Sequence, residues 1–402
     1  MVKSFKFAPT PEIRFGAGSF GQLPDLISAR GEKVLLVTGG SSLKRSGKYQ
    51  QLVSDLKHKV TWLDDVQISG EPSPDRVDEI CDSYRDKSLD LVVAIGGGSV
   101  IDAGKAVSAM LTCDESVMAY LEGVGAGKTH SGEKIPFFAV PTTSGTGSEA
   151  TKNAVLSRVG EDGFKKSLRH DNFIPDLALL DPDLTVTCPP DITAASGMDA
   201  ISQLLGAYVS TAAFPMTDSL ILSALELAGE YYLPVCTTEA QNVEARGGMA
   251  YASLVSGIVL ANAGLGIVHG LASPVGGFFD IPHGVVCGTL LAEAVKMNVE
   301  LLSREESAVE EEFLGKYARA GALLSGQAGL DSLDIAYDEV SDYCQLLIET
   351  LQRWTEELEL PRLGEYGIKE KALCGIAENT GNKNNPVQLS SDQIVSLLKK
   401  RL

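Results

Sequence analysis

A chain of 402 residues is longer than one hydrophobic core usually organises, so about two domains are expected. Its composition, 44% hydrophobic and 22% charged, is that of an ordinary soluble globular protein and excludes a disordered or fibrous one. A formal charge of −19 repels phosphate backbones, which excludes nucleic acid as a partner.

Residues 11–18 read as a short strand entering a turn, with a helix near 21–29. Residues 33–38 are a compact apolar run bounded by glycines, the mark of a buried parallel strand. The run leads into Gly39-Gly40-Ser41-Ser42. In a nucleotide-binding βαβ unit this strand end meets the adenosine ribose, and a carboxylate there suits a free 2′-hydroxyl. None is present. Gly39 and Gly40 leave space, Ser41 and Ser42 offer hydroxyls, and Lys44 and Arg45 follow, so a 2′-phosphate fits better. A plain turn with a solvated basic pair fits the same residues.

Residues 59–63 read as a second strand and 75–87 as a polar helix. A stronger strand, 89–95, runs into Gly96-Gly97-Gly98-Ser99, then through Asp102 and Lys105 into a small-residue helix ending near Met110. Strand, glycines and helix start together aim unpaired N–H groups and the positive helix end at one place, as a pyrophosphate requires. The pattern matches neither GxGxxG nor a Walker loop, so alone it is a weak signal. After a glycine-rich connection at 123–132, another strand at 135–140 leads into Pro141-Thr-Thr-Ser-Gly-Thr-Gly-Ser-Glu149. Thr142, Thr143, Ser144, Thr146 and Ser148 could line a polar cofactor cleft or cap a helix start. Lys165-Lys166-Ser-Leu-Arg169-His170 precedes a last strand at 176–180, which ends in Asp181-Pro-Asp183.

Strand and helix alternate up to this point, the signature of a mostly parallel sheet. Beyond Pro189-Pro190 strand signals vanish, and helical periodicity marks 218–232, 239–264, 307–324 and 337–358. The fold class expected is an α/β dinucleotide-binding domain over 1–185 followed by an all-helical domain over 186–402. Residues 249–268 carry no charge over a length that could cross a bilayer. Gly257, Gly264, Gly266, Ser253, Ser256 and Asn262 dilute that stretch, so a packed interior helix is expected and no membrane. The cluster of Glu305, Glu306, Glu310, Glu311 and Glu312 reads as a solvated helix face. Seven scattered cysteines without a CxxC pair suggest neither a disulfide framework nor a zinc ribbon, and no signal peptide is apparent at the N-terminus. A reducing cytoplasm is the expected compartment.

Two of only five histidines, His269 and His283, lie 14 residues apart around Pro274, Gly276-Gly277 and Pro282. On one straight helix they would stand roughly 21 Å apart, yet two imidazoles on one ion must each lie about 2.0–2.1 Å from it. The chain must therefore fold back between them, and proline and glycine supply the breaks. Asp199 and Gln203, four apart on an expected helix, share a face. Aspartate with two histidines makes a divalent-cation site; hydrogen-bonded core histidines are the plainer alternative. Phe278, Phe279 and Ile281 read either as apolar walls of a substrate pocket or as core.

Together these motifs resemble the iron-containing (group III) alcohol dehydrogenases. The resemblance rests on Gly96-Gly-Gly-Ser99 with Asp102 and Lys105, the 141–149 run, Asp181-Pro-Asp183, Gly197-Met-Asp-Ala200, His269-Gly-Leu-Ala, Pro282-His-Gly284 and Asn385-Pro386. It implies a dehydroquinate synthase-like fold with the active site between the two domains, and a dimer or larger homo-oligomer. It implies an NADP- or NAD-dependent enzyme with a divalent metal, moving a hydride between nicotinamide and a small alcohol or aldehyde. On this reading Gly97, Gly98 and Ser99 contact the cofactor pyrophosphate, Thr142 and Thr143 line its nicotinamide end, and Asp102, Thr146 and Lys165 also bind the cofactor. Gly39 and Ser41 would meet the adenosine ribose, and a glycine at Gly39 matches NADP-using members. Asp199, His269 and His283 fall on metal-ligand positions. Two departures stand out: Gln203 and Ser273 occupy positions where the family usually has histidine. An amide oxygen is a weaker ligand than imidazole, so iron affinity should fall and zinc becomes a candidate. The proton would then travel by water, a ribose hydroxyl or the Ser273 hydroxyl. Two other functions share the architecture. A sugar-phosphate cyclising lyase needs a basic pocket, for which the helical part offers little beyond Arg246 and Lys296. A nucleotide-binding protein that has lost its metal would bind cofactor without turnover.

Overall fold

The computed structural model describes residues 4–40, 42–304 and 307–402, with only the backbone of Ser42. Ser41, Glu305 and Glu306 therefore lie outside the described residues. The N-terminal half is built on a six-stranded, wholly parallel sheet of β1 (Glu12–Phe15), β2 (Lys33–Thr38), β3 (Trp62–Gln67), β4 (Leu91–Gly96), β5 (Phe137–Pro141) and β8 (Leu177–Leu180). Its strand order is β1-β8-β5-β4-β2-β3. Central β4 is buried along its whole length and alternates between two cores: Val92 and Ala94 face one, Leu91, Val93 and Ile95 the other. Such a strand is apolar on both faces because helices cover both.

Edge strand β3 begins three residues later than its sequence suggests and runs through Asp64 and Asp65. An edge strand exposed to water tolerates those charges, which hid it from a search for apolar runs. A second departure is a two-stranded antiparallel hairpin of β6 (Asn153–Arg158) and β7 (Phe164–Arg169). The Lys165-Lys166 segment is thus itself a strand, with Phe164, Lys166 and Leu168 on one face and Lys165, Ser167 and Arg169 on the other. The hydroxyl-rich run after β5 starts no α-helix, only a 3-10 turn at Ser148–Ala150.

After Leu180 the described residues contain no further strand, and long helices begin at Pro190. Pro190–Tyr208, Pro215–Cys236, Val243–Ala263, Ile267–Phe278 and His283–Leu302 pack around one large apolar core that also takes in Ala308–Leu324 and Val340–Glu357. The uncharged 249–268 stretch is not one helix. It breaks at Gly264–Gly266, the two helices it joins bend by 99°, and no single described helix is long and apolar enough to cross a membrane. Glu310, Glu311 and Glu312 lie on the first turns of the Ala308–Leu324 helix.

The two halves meet where the loop after β5 lies on the Val243–Ala263 helix. Gly145 donates its N–H to Ser253 Oγ at 2.8 Å, and Gly147, at φ 61°, stacks backbone against backbone on Gly257. A Cβ on either glycine would overlap the other's main chain, so only glycine permits this approach. Gly257→Ala should therefore lower stability by about 1–3 kcal/mol, the usual range for forcing an atom into a packed site. The check is the urea midpoint against wild type, and an unchanged midpoint would show that the contact is slack.

Candidate active site

Three helices bring the site together. Asp199 sits mid-way along Pro190–Tyr208, His269 on the first turn of Ile267–Phe278, and His283 at the start of His283–Leu302. The reversal between the histidines differs from the sequence reading. Pro274, Gly276 and Gly277 all lie inside the Ile267–Phe278 helix, and the break comes at 279–282. Pro274 costs that helix little, because it sits within its short second half and still packs in the core. Gly277, whose Cβ would press on the Phe164 backbone at 3.0 Å, is needed for close contact with β7. Gly284 does similar work beside His283. A Cβ there would lie 2.6 Å from the Ala195 carbonyl oxygen, so its absence lets the His283–Leu302 helix close on the one bearing Asp199.

His269 Nε2 lies 3.1 Å from Asp199 Oδ1, and His283 Nε2 lies 3.8 Å from the same atom. Cys287, one turn beyond His283, joins them: its Sγ is 3.6 Å from His269 Nε2 and 3.7 Å from His283 Nε2. One donor atom from each of Asp199, His269, His283 and Cys287 falls within 4.8 Å of all the others. Sequence reading missed Cys287. The signal was present, since a cysteine four residues after a histidine shares its helical face, but it was grouped with the scattered cysteines.

Asp199 is 1% exposed. Burial alone would pull its carboxyl up, but His283 and His269 beside it prevail and hold it well below the usual carboxylate range. Burial, then the charge of Lys165, lowers His283 to about 4, so its ring is neutral at physiological pH, the form that binds a metal. Burial and the neighbouring Asp199 push the Cys287 thiol up. Asp199 Oδ2 and Gln203 Oε1 are buried acceptors without a donor among the described residues. A divalent cation supplies the positive partner that both lack, so the residues fit such an ion.

Gln203, His269, Ser273 and His283 face one cleft, while Asp199 and Cys287 stand behind them. The opposite wall of this cleft carries Gly98, Ser99, Asp102 and Thr146. Gly98 opens the Gly98–Met110 helix and its missing side chain makes room for Thr146, with which a Cβ would collide. The free N–H groups of that helix start and the imidazoles therefore share one space.

A family model described as iron-containing alcohol dehydrogenase matches residues 9–182, and its C-terminal counterpart matches residues 193–402. The chain belongs to the iron-containing alcohol dehydrogenase family. It is 33% identical to long-chain-alcohol dehydrogenase 1 of Geobacillus thermodenitrificans, covering 94% of this chain and 90% of that one. It is 30% identical to alcohol dehydrogenase 4 of Saccharomyces cerevisiae, over 96% of this chain and 95% of its relative. An archaeal alcohol dehydrogenase from a Red Sea brine pool superposes with a TM-score of 0.88 at 25% identity, over the full length of both chains. The fold is thus that of this family, and the protein is an NAD(P)-dependent oxidoreductase of alcohols and aldehydes.

The other residues singled out in the sequence separate into those that line the cleft and those that do not. Lys165 lines it and pairs with Glu71 at 3.0 Å. Gly39, Gly97, Thr142 and Thr143 do not line it. Gly39 sits at the end of β2, where a Cβ would lie 3.1 Å from Val100, and Gly97 caps the Gly98–Met110 helix. Thr142 donates its N–H to Gly96 O, and Thr143 stands against Gly97. Phe278, Phe279 and Ile281 pack into the helical core, and the cleft takes its apolar lining from Val155, Leu260 and Leu265 instead. Arg246 is buried and donates to Ala240 O and Thr193 Oγ1, so it offers no phosphate pocket.

Two motif residues have structural work. Asp181 accepts the N–H groups of Gly18, Phe20 and Asp183, tying the turn after β1 to the end of β8. Lys105 is 1% exposed, and its Nζ donates to Ser148 O, Thr151 O, Thr151 Oγ1 and Asn153 O at 2.8–2.9 Å. It pins the strap between β5 and β6 that forms the cleft floor, flanked by buried Asp102 and Glu149. Removing one partner of such a set strands carbonyls and charges. Lys105→Met should destabilise by about 3–5 kcal/mol. Chemical unfolding checks this, and a loss under about 1 kcal/mol would mean that the strap holds without the ammonium.

Proposed function

We propose that this chain reduces small aldehydes, and oxidises the corresponding alcohols, with NADP as the preferred cofactor and a divalent metal held at Asp199, His269, His283 and Gln203. The observation that carries this reading is the single cleft shared by the Gly98 helix start on one wall and the two imidazoles on the other. When bound, the metal supplies Lewis-acid polarisation of a substrate oxygen and the nicotinamide supplies the hydride.

The chain's own groups do the rest. The open turn of the Gly98–Met110 helix offers unpaired N–H groups to a pyrophosphate through Gly98 and Ser99, with Gly97 as the cap. Asp102, buried beneath them, accepts the N–H of Val155 at 3.0 Å and orders the β6 wall. Thr146 and Lys165, which line the cleft, serve the cofactor there, and the Lys165–Glu71 pair holds the ammonium in place. Gln203 aims a free amide oxygen into the cleft. Ser273, on the same helical face as His269, presents a hydroxyl to the cleft that can pass a proton at the substrate oxygen. Val155, Leu260 and Leu265 exclude water from the apolar end of a substrate.

Preference for NADP is supported by the absence of a carboxylate after β2 and by Lys44 behind it, which leans on Tyr49 and Asp65. A homodimer or larger assembly is supported by edge strand β1, which leaves Ile13 37% and Phe15 44% exposed beside an unpaired backbone edge. A reducing cytoplasm is supported by seven cysteines that are all free. A boundary near residue 185 falls between the end of β8 and the first long helix.

Two measurements test the reading. Chelation should abolish aldehyde reduction, and Zn²⁺ or Fe²⁺ should restore it, with about one equivalent of metal bound per chain. Full activity in metal-free protein refutes the metal-assisted reaction. Gly39→Asp should shift the ratio of kcat/KM for NADPH over NADH by about tenfold or more towards NADH, the equivalent of ~1.4 kcal/mol. An unchanged ratio would remove the argument from the β2 turn.

A further inference from the structure

We infer that Cys287 is a metal ligand and takes the fourth protein position given above to Gln203, so that the ion in this chain is held by Asp199, His269, His283 and a thiolate. The inference rests on the metal-assisted reading above but concerns a residue outside the ligand positions that the family motif marks. Gln203 stands where relatives usually place a third histidine, which leaves the site short of one strong donor. Cys287 is buried at 0% exposure, one helical turn from His283, and its sulfur faces the same point as both imidazoles.

The spacings match donors arranged about one shared ion. In a tetrahedral site with metal–sulfur near 2.3 Å and metal–nitrogen near 2.0–2.1 Å, sulfur and nitrogen stand about 3.6 Å apart. The two observed separations are 3.6 Å and 3.7 Å. The same geometry puts nitrogen and carboxylate oxygen about 3.4 Å apart. The two observed values, 3.1 Å and 3.8 Å, bracket it. Four donors thus stand at separations that a zinc-sized site requires, all within 4.8 Å of one another. On coordination the S–H bond is replaced by a sulfur–metal bond and the proton leaves to solvent, with no change of oxidation state. A soft thiolate in place of imidazole tilts the site from iron towards zinc. Four protein donors complete a tetrahedron, so a substrate oxygen arriving from the side of Gln203 and Ser273 would have to enter as a fifth ligand.

Cobalt(II) is the probe, because a thiolate ligand gives it an intense near-ultraviolet charge-transfer band that nitrogen and oxygen ligands do not. The full-length wild-type chain loaded with one Co²⁺ should show the band. Cys287→Ser should lose it while keeping visible d–d absorption, bind Zn²⁺ at least about tenfold more weakly, and favour Zn²⁺ over Fe²⁺ less. Gln203→Ala should retain the band. X-ray absorption of the zinc-loaded wild type, which needs no variant, should show one sulfur scatterer near 2.3 Å. A shell of nitrogen and oxygen only, in a chain that binds metal and reduces aldehydes, overturns the Cys287 assignment and leaves the metal-assisted reaction standing. Failure to bind any metal, with activity intact, overturns both.

Discussion

Burying the Asp199 carboxylate is the constraint on which the helical half depends. A lone carboxylate taken out of water costs several kcal/mol, and the protein recovers that only if positive or hydrogen-bonding groups surround it. Two histidines from separate helices do so at 3.1 Å and 3.8 Å, yet one carboxylate oxygen is left without a donor. To bring His283 so close to Asp199, their two helices must touch backbone to backbone at Gly284, while Gly277 lets the His269 helix lie against β7. The glycines that let helices close and the polar groups they close upon are parts of one arrangement.

The same economy shapes the N-terminal half. Lys105, Asp102 and Glu149 are buried together below the cleft, and the ammonium is saturated by four oxygens of the β5–β6 strap. Burial, opposed by Asp102 and Glu149, lowers Lys105 to about 8, and burial raises Glu149 to about 7. These groups are spent on holding loops in place. The loop that Lys105 fixes continues into Gly145–Gly147, which docks on the Val243–Ala263 helix, so cleft floor and inter-domain contact are set by one continuous segment.

The parallel sheet was legible because β2, β4, β5 and β8 are apolar on both faces, and the long helices because their periodicity is unbroken. Asp199, His269 and His283 were legible as a set because histidine is scarce in this chain. What escaped notice has physical reasons. β3 carries two aspartates, which an edge strand accepts and a search for apolar runs discards. The β6–β7 hairpin is joined by a turn containing Gly160 and Gly163 and reads as basic loop, since two adjacent lysines break the period-two pattern of a strand only six residues long. Pro274 suggested a helix end, but a proline inside a short, tightly packed helix is tolerated when tertiary contacts outweigh the lost hydrogen bond. Cys287 was hidden because a single cysteine has no pattern of its own. Its partner is defined only once His283 is known to start a helix.

Charge is the remaining tension. The chain carries 53 acidic against 34 basic side chains, yet the cleft wall gathers Lys165, Arg169 and Lys383. Lys165 is fixed by Glu71 and Arg169 by Glu122, while Lys383 makes no ion pair among the described residues. A cleft with low-dielectric walls focuses the field of the charges that line it, so local sign matters more to an entering ligand than the sum over the molecule. Screening over about 8 Å at physiological salt further separates the acidic exterior from the cleft interior. An acidic surface therefore does not bar a dinucleotide from this cleft. The same −19 that turns away a polymer of phosphates, which must contact an extended surface, is compatible with two or three phosphates entering a cleft where Lys165, Arg169 and Lys383 stand beside Glu71 and Asp102.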